Sequence, residues 1–175
     1  MTKRIAMIAF CFFYLINLSK AQTGLKVISS KISFKIKNAG LSVDGTFGGF
    51  EGEINFIPEQ YKLATIKASI NANTINTGIN ARDKHLKKEE FFDVIKFPKI
   101  SIVSSFFGKE GNKYLGYFKL TMKGITKDIT IPFIFENNIL KGDFILNRRE
   151  YNIGGKSFMM NDNVSISIQI NTLKN

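Results

Sequence analysis

One stretch of the sequence gathers residue types that could act together in catalysis. It contains His85, the only histidine of the chain, with Arg82 and Asp83 just before it. General acid–base catalysis needs a group of tuned pKa within hydrogen-bond reach of a substrate, usually beside a nucleophile or a metal ion. The sequence has no GxSxG, HExxH or glycine-rich phosphate motif that would supply such partners. We therefore expect no catalytic residues and no enzyme activity, with a hydrolase centred on His85 as the alternative hypothesis.

The same residue types offer little for binding a metal or a cofactor. One histidine and scattered carboxylates give no recognisable ligand spacing, and the only cysteine, Cys11, lies in an N-terminal apolar run. We expect neither a metal site nor a cofactor. A structural role is favoured for this stretch, in which Arg82 and Asp83 pin a short helix through backbone hydrogen bonds and an ion pair. The alternative is that Arg82, Lys84 or His85 contacts the head group of a ligand.

The first 21 residues have the features of a secretory signal peptide. Lys3 and Arg4 form a positive n-region, residues 5–18 form a short apolar run, and Ser19-Lys20-Ala21 forms a small-x-small cleavage site. A membrane anchor is the competing interpretation, but this apolar run is shorter than the roughly 20 residues that a spanning helix needs. We predict a signal peptide over residues 1–21 and a mature domain over residues 22–175, located in the periplasm or secreted.

The mature domain is basic. Removal of the predicted signal peptide deletes three basic residues and no acidic residue, which lowers the formal net charge from +11 to +8. A basic exterior attracts anionic lipids, anionic polymers or nucleic acids, but scattered charges without a run of five indicate an ordinary solvated surface. Nucleic-acid binding would need aromatic rings exposed beside the basic residues. Because the periodicity described next turns most phenylalanines inward, we expect no nucleic-acid partner.

Apolar and polar residues alternate along most of the chain, a pattern that predicts β-strands. In the last such segment Val164, Ile166, Ile168 and Ile170 alternate with polar residues. Side chains of one parity share one face of a strand, so each segment has an apolar face and a polar face. Eight such segments occur, at residues 32–37, 41–56, 64–72, 100–107, 113–122, 127–135, 139–147 and 164–172.

The alternation changes at two places. The apolar parity slips by one residue after Gly48-Gly49, which predicts a β-bulge because glycine tolerates the backbone that a bulge requires. Between Gly78 and Asp93 the alternation stops, and residues 80–90 include many good helix formers. We predict one short helix here, between the third and fourth strands, followed by a Phe91-Phe92 anchor.

Eight strands with one apolar face each need cover for that face, and one short helix cannot supply it. The sheet must fold into a sandwich or close on itself, and closure also removes exposed strand edges. We predict an all-β protein, an eight-stranded antiparallel barrel. The interior of such a barrel is filled by side chains or holds one small ligand. The 17 phenylalanines and the inward glycines and alanines suit either a packed core or a tunnel, so the periodicity leaves both open.

Several motifs, in order along the chain, resemble those of the YceI-like proteins. They are Gly45-Thr46-Phe47, Ile75-Asn76-Thr77-Gly78, Arg82-Asp83-Lys84-His85-Leu86 with Phe91-Phe92-Asp93 and Phe97-Pro98, Tyr117-x-x-Leu120-Thr121-x-x-Gly124-Ile125-Thr126-Lys127, and Asn147-Arg148-x-x-Tyr151-x-Ile153-Gly154. The resemblance covers essentially all of the predicted mature domain. One departure is Asn38, which stands near the place where the family often carries a histidine.

The resemblance implies a lipocalin-like barrel whose elongated cavity binds a polyisoprenoid or a similar long-chain lipid, such as a quinone or a fatty acid, in the periplasm or outside the cell. It also suggests a homodimer, and it is compatible with peripheral contact with a membrane. The inward residues expected to line the cavity are Phe34, Ile36, Phe47, Phe50, Ile66, Phe91, Phe92, Phe106, Phe118, Leu120, Phe133 and Phe144. Arg82, Lys84 and His85 are the candidate contacts at its mouth. The alternative hypothesis is a secreted structural or interaction module with a packed barrel, whose basic surface binds an anionic partner.

Overall fold

The structure, a computed structural model, describes residues 24–174 and contains a closed barrel of eight antiparallel strands. Each strand pairs with the next in sequence, and β8 pairs with β1 to close the barrel. The strands are β1 (Gly24–Asn38), β2 (Leu41–Asn55), β3 (Thr65–Asn76), β4 (Lys99–Glu110), β5 (Lys113–Met122), β6 (Ile125–Glu136), β7 (Ile139–Asn147) and β8 (Asn163–Lys174). The predicted fold is confirmed, whereas the predicted signal peptide, residues 1–21, lies outside the described residues.

The helices are short and lie in the connections between strands. The α-helix α1 (Asn80–Leu86) lies between β3 and β4, as predicted, and is seven residues long. Two 3-10 helices, Pro58–Leu63 and Arg148–Tyr151, follow β2 and β7. Among residues 24–174, no helix is long and apolar enough to cross a bilayer. The helices therefore leave the apolar faces of the strands to be covered by the closure of the barrel itself.

The register of β2 against β3 shifts on both sides of Gly48, which confirms the predicted bulge. Gly49 has a φ of +66°, a conformation that costs glycine little because it has no Cβ. The shift lets Phe47 and Phe50 both border the interior, although they are three residues apart in sequence. In a regular strand two residues of opposite parity would face opposite sides of the sheet.

A second register shift lies in β4, between Ser104 and Phe106, and the sequence prediction did not include it. The extra residue inverts the parity of the rest of the strand. Phe107 therefore faces the interior with 5% of its surface exposed, whereas Phe106 faces outward and is 56% exposed. The Phe106 ring stacks on Tyr117, with the ring centroids 4.0 Å apart. The prediction that Phe106 lines a cavity is wrong.

The connections alternate between the two ends of the barrel because consecutive strands are antiparallel. One end carries the 3-10 helix Pro58–Leu63 and the β4–β5 and β6–β7 turns; we call it the closed end. The other end carries the β1–β2 turn, the connection with α1, the β5–β6 turn and the loop of residues 148–162. We call this second end the mouth end, and we call the β7–β8 connection, residues 148–162, the mouth loop.

Aromatic rings fill the closed end. Phe56, which follows β2, is 2% exposed. Its ring contacts the rings of Phe107, Tyr114, Phe133 and Phe135 edge-on, with centroid distances from 5.0 to 6.2 Å. Edge-to-face pairs are each worth roughly 0.5–1.5 kcal/mol beyond the burial of their apolar area. This cluster closes one end of the barrel without any polar contact between its rings.

Candidate ligand cavity

An apolar cavity of about 660 Å³ lies inside the barrel and reaches the mouth end. Its lining runs from Val164 to Ile170 on β8 and from Leu140 to Leu146 on β7. An advance of six residues along a strand covers about 20 Å, so the cavity is elongated. Its volume falls within the range of roughly 300–1,000 Å³ that is typical of ligand sites. The interior is therefore hollow and could hold an elongated apolar guest.

The structure places all but one of the predicted lining residues on this cavity. Phe106 is the exception, because the bulge in β4 turns it outward. The residues that border the cavity are Phe34, Ile36, Phe47, Phe50, Ile66, Phe91, Phe92, Phe118, Leu120, Phe133 and Phe144. Their contact with a bound guest stays a prediction.

Two glycines explain how large rings and an open cavity coexist. A Cβ atom added at Gly45 would overlap the ring of Phe34, and one added at Gly116 would overlap the ring of Phe118. Both rings therefore lie against bare backbone on the wall of the barrel, and both border the cavity. The rings do fill the space beside small residues, as the packed-core hypothesis expected. They fill it along the wall, however, and leave the axis of the barrel free.

Arg82 and Asp83 act together on a single residue at the end of β3. The Asp83 carboxylate accepts hydrogen bonds from the backbone N–H of Thr77, at 2.9 Å, and from its hydroxyl group. Arg82 donates from Nε to the Thr77 hydroxyl at 2.7 Å and from Nη2 to the Thr77 carbonyl at 2.8 Å. The predicted pinning of the helix by hydrogen bonds is confirmed. The predicted ion pair is wrong, because the two side chains converge on Thr77 rather than on each other.

Two of the three predicted mouth contacts border the cavity, and the third does not. Arg82 and His85 are three residues apart, so they share one face of α1, and both border the cavity. Lys84 is exposed and is not part of the cavity wall, because a helix turns a residue two positions away to another face. The His85 ring packs edge-on against Phe91 at 5.0 Å, and its Nε2 lies 3.7 Å from a carboxylate oxygen of Glu90.

The most deeply buried cation of the mouth end is Arg148, with 3% of its surface exposed. Its Nη1 donates to the carbonyls of Ile153, Gly154 and Gly155, its Nε to that of Asn161, and its Nη2 to that of Met160, at 2.8–3.2 Å. Nη2 also forms an ion pair with Asp162 at 2.8 Å. One guanidinium group therefore binds residues 153–155 and residues 160–162, on the two sides of the mouth loop.

Burial lowers the pKa of the Arg148 guanidinium, the negative charge of Asp162 opposes that shift, and Arg149 adds to it. Sequence reasoning missed this residue as an organiser of the site, since a basic side chain is expected at the surface. The available signal was the Asn147-Arg148 pair within a motif shared with a known family. Arg148 also borders the cavity, so the group that shapes the mouth loop forms part of the cavity wall.

Backbone hydrogen bonds attach the mouth loop to its neighbours. The N–H of Gly154 donates to the carbonyl of Glu90 at 2.9 Å, which joins the loop to the segment after α1. On the other side the N–H of Ala39 donates to the carbonyl of Met159 at 2.7 Å, and the N–H of Asn161 donates to that of Lys37 at 2.9 Å. The mouth is thus framed by three connections that are tied together through their main chains.

Tyr151 lies beneath this frame with no exposed surface, packed with Phe91, Leu120, Met122 and Ile153. Its hydroxyl group has no hydrogen-bond partner among the described residues. Burial, with a smaller contribution from the charge of Glu150, raises the pKa of Tyr151 to about 12. The phenol is therefore neutral at physiological pH and belongs to the apolar support of the mouth rather than to its polar rim.

The cavity wall is apolar over most of its surface, with polar groups near the mouth end. Within residues 24–174, no group of three histidine, cysteine, aspartate or glutamate side chains lies close enough to hold a metal ion. Apolar side chains line most of the cavity, and Ser69 is a polar residue of its wall within β3. The polar groups Asn38, Arg82, His85 and Glu90 border it on the connections and strand ends of the mouth end. The cavity therefore has an apolar interior and a more polar border at the mouth end.

A closed antiparallel barrel of eight strands with an apolar cavity that reaches one end defines a lipocalin-like barrel. A family model described as the YceI-like domain matches residues 25–172. The chain belongs to this family. Among curated relatives, Protein YceI of Salmonella arizonae is 35% identical over 101 residues, which are 57% of this chain and 53% of the relative. The chain thus spans about half the length of the curated relatives that it matches.

Solved structures share the fold of this chain. BcnA of Burkholderia cenocepacia is similar with a TM-score of 0.76 and 24% identity, over 81% of this chain and 94% of that protein. A protein of Saccharophagus degradans is similar with a TM-score of 0.65 and 12% identity, over 88% of this chain and 99% of that one. The latter is described as a polyisoprenoid binding domain implicated in plant cell wall breakdown. At these identities the likeness concerns the fold.

Proposed function

We propose that this protein sequesters or carries a polyisoprenoid or a similar long-chain lipid inside its barrel. The observation that carries the proposal is the elongated apolar cavity of about 660 Å³ that reaches the mouth end. Membership of the YceI-like family and the fold shared with a polyisoprenoid binding domain support it further. The sequence of the first 21 residues supports export, so the proposed site of action is the periplasm or the outside of the cell.

Burial of the hydrocarbon supplies the driving force for this binding. Each buried methylene group contributes about 0.8 kcal/mol, before the cost of restricting the guest and the side chains around it is subtracted. The rings of Phe34 and Phe118, held against glycine backbone, offer apolar surface that is already in place. A wall that does not have to rearrange lowers the cost of binding.

The polar end of the guest is proposed to lie near Arg82, His85 and Asn38, which border the cavity. Arg82 uses Nε and one bond from Nη2 to hold Thr77, and a guanidinium group has five N–H donors. Its remaining donors suit a phosphate or a carboxylate. Apolar contacts discriminate poorly between chains of similar width, so quinones and fatty acids are alternative guests that the same cavity would accept.

The sequence is also compatible with an interaction module and with a hydrolase, and the cavity bears on both. The secreted interaction module required a filled barrel, and an open interior argues against it. A hydrolase would centre on His85, whose side chain is half exposed beside Glu90. We propose carriage rather than catalysis. Assays of the natural protein and of His85→Ala on ester and phosphate substrates separate the two ideas, because a hydrolase shows turnover that this substitution abolishes, whereas a carrier shows no turnover in either protein.

The proposal is tested by isolating the full chain without detergent and identifying bound lipids by mass spectrometry. The same protein is then titrated with a fluorescent prenyl probe and a fluorescent acyl probe. We expect a bound long-chain lipid in the isolated protein and saturable uptake of at least one probe. Protein that is consistently empty and takes up neither probe would overturn the proposal.

A further inference from the structure

The mouth end carries apolar side chains that face solvent. Five of the eleven large apolar side chains that are exposed in the described part of the chain lie there, in connections or at strand ends. Phe158 is fully exposed, at 101% of its reference surface, and Met159 is 65% exposed. Leu41, the first residue of β2, is 73% exposed. Large exposed apolar side chains that form one surface mark an interaction site.

Three of these residues belong to two connections that contact each other, the β1–β2 turn and the mouth loop. The main chain of Ala39 donates a hydrogen bond to Met159, and Asn38 forms a bridge with Met160. Asn38 also pairs with Leu41 across the β1–β2 turn. Met159 therefore lies next to the β1–β2 turn, and Leu41 follows that turn. We call the surface formed by Leu41, Phe158 and Met159 the mouth patch.

Exposed lysines stand close to the mouth patch in the sequence, Lys37 before Leu41 and Lys156 before Phe158. The carboxylate of Glu90, which also borders the cavity, lies 3.7 Å from Nε2 of His85. The acidic residues nearest in sequence are already paired, because Asp44 binds Lys35 at 3.2 Å and Asp162 binds the buried Arg148 at 2.8 Å. Exposed apolar side chains with exposed lysines nearby in the sequence complement the interface of an anionic bilayer, where apolar side chains enter the acyl boundary and lysines meet the headgroups.

The mouth patch is also part of the cavity entrance. Lys156, Ser157, Met159 and Met160 all border the cavity. A guest that left the barrel at this point would pass beside the exposed apolar side chains. This continuity favours a lipid bilayer over a protein as the partner, because a long-chain guest that moved there would avoid contact with water.

We propose that the mouth patch docks on the surface of anionic membranes and places the cavity entrance at the level of the headgroups. The proposal rests on the proposed function, since it explains how a long-chain lipid enters and leaves the barrel. Phe158 and Met159 supply the apolar contact, and Lys37 and Lys156 supply the attraction to anionic headgroups.

The test is flotation of the full chain with phosphatidylcholine vesicles and with vesicles that contain about one third phosphatidylglycerol. The natural protein should float with the anionic vesicles and release them at high salt, because salt screens exposed charges. Phe158→Ser should weaken the partitioning about tenfold, since it removes the most exposed ring from the interface. Lys156→Glu should reduce binding to anionic vesicles and leave the weaker binding to neutral vesicles unchanged.

Matched control variants lie away from the mouth. Leu63 is 78% exposed at the closed end and Phe106 is 56% exposed on the wall, so Leu63→Ser and Phe106→Ser remove similar apolar surface. These two controls should float like the natural protein, whereas Leu41→Ser and Phe158→Ser should not. An equal loss of flotation in all four variants, or no flotation of the natural protein, would overturn the proposal that the mouth patch is a docking surface.

A second readout separates this proposal from the proposed function. Uptake of a prenyl probe from solution does not require a membrane, so Phe158→Ser should take up the probe with the affinity of the natural protein. Its transfer of the same probe from anionic vesicles should be slower, about tenfold, in line with its lost partitioning. Uptake from solution without vesicle binding would overturn the docking surface alone. Vesicle binding without uptake would overturn the carrier function instead.

Discussion

The two ends of the barrel are held together by different forces. At the closed end Phe56 and its four aromatic neighbours pack ring against ring. At the mouth end Arg148 gathers backbone carbonyls of the mouth loop, while Arg82 and Asp83 converge on Thr77. Apolar packing fills space, whereas a hydrogen-bonded frame fixes the chain around an opening. The difference explains why the cavity opens at one end of the barrel.

This contrast makes different predictions for the stability of each end. A ring that fills the closed end contributes through the area that it buries, so its loss should weaken the whole barrel. A polar frame contributes through satisfied donors and acceptors, so its loss should leave buried groups unpaired close to the mouth. Substitutions at each end therefore separate global effects from local ones.

The largest effect is expected from Phe56→Ala at the closed end. Truncation of a fully buried ring leaves a cavity and removes apolar contacts, which costs about 3–5 kcal/mol. The free energy of unfolding, measured with urea, should fall by that amount with an unchanged slope against denaturant concentration. A loss below about 1 kcal/mol would contradict the account of the closed end as a packed aromatic plug.

At the mouth end, Arg148→Ala should lower the free energy of unfolding by about 3 kcal/mol, because it leaves buried carbonyls and Asp162 without their partner. Amide hydrogen exchange should rise first at Ile153 and Gly154, whose carbonyls accept from Arg148. The neighbouring Arg149→Ala is the control, since Arg149 lies 4.0 Å from Asp162 and is more exposed. Uniform loss of protection around the barrel would contradict a frame that acts on the mouth.

Tyr151 gives a pH-dependent comparison between the variant Tyr151→Phe and the natural protein. The pKa of its phenol is about 12 in the folded protein, against about 10 when unfolded. Above pH 10 the unfolded chain loses this proton while the folded chain keeps it, so stability falls as the pH rises towards 12. The free energy of unfolding of the natural protein should fall by about 2 kcal/mol near pH 12 because of this proton, and Tyr151→Phe should not show that fall. Parallel curves for the two proteins would contradict the burial of the phenol.

The smallest effect is expected from Thr77→Val, which keeps the volume and removes the hydroxyl that Arg82 and Asp83 share. The cost should be about 1 kcal/mol, with faster amide exchange confined to α1. Uptake of a prenyl probe should be unchanged, since the pin positions the helix and the cavity wall stays intact. A strong loss of uptake with little loss of stability would show instead that binding of the guest depends on the pin at Thr77 and not only on the remaining donors of Arg82.

Much of the barrel could be predicted from the sequence, and the exceptions have physical reasons. Strands β5 and β7 begin and end where the alternation places them, at Lys113–Met122 and Ile139–Asn147. The bulge in β2 was predictable because glycines mark it. The bulge in β4 lies at Ser105, which carries no such signal, so Phe106 was placed on the wrong face.

The cavity, too, could be predicted from the sequence only in part. Its apolar wall follows from strand parity, which depends on local sequence. The role of Arg148 depends on carbonyls brought together by a loop of fifteen residues, and no local pattern reports such convergence. Whether the barrel is hollow was also undecided from the sequence. It depends on where each ring lies, as with Phe34 against Gly45, and not on how many rings there are.

The central claim is that the cavity itself takes the hydrocarbon chain, and two adjacent residues of β4 test it most directly. Ile102 borders the cavity, whereas Val103 faces outward and is 47% exposed. Ile102→Trp should weaken uptake of a prenyl probe about tenfold or more, because the indole occupies space that the guest needs. Val103→Trp should bind as the natural protein does. If folded Ile102→Trp took up the probe with unchanged affinity, the guest would not lie in this cavity.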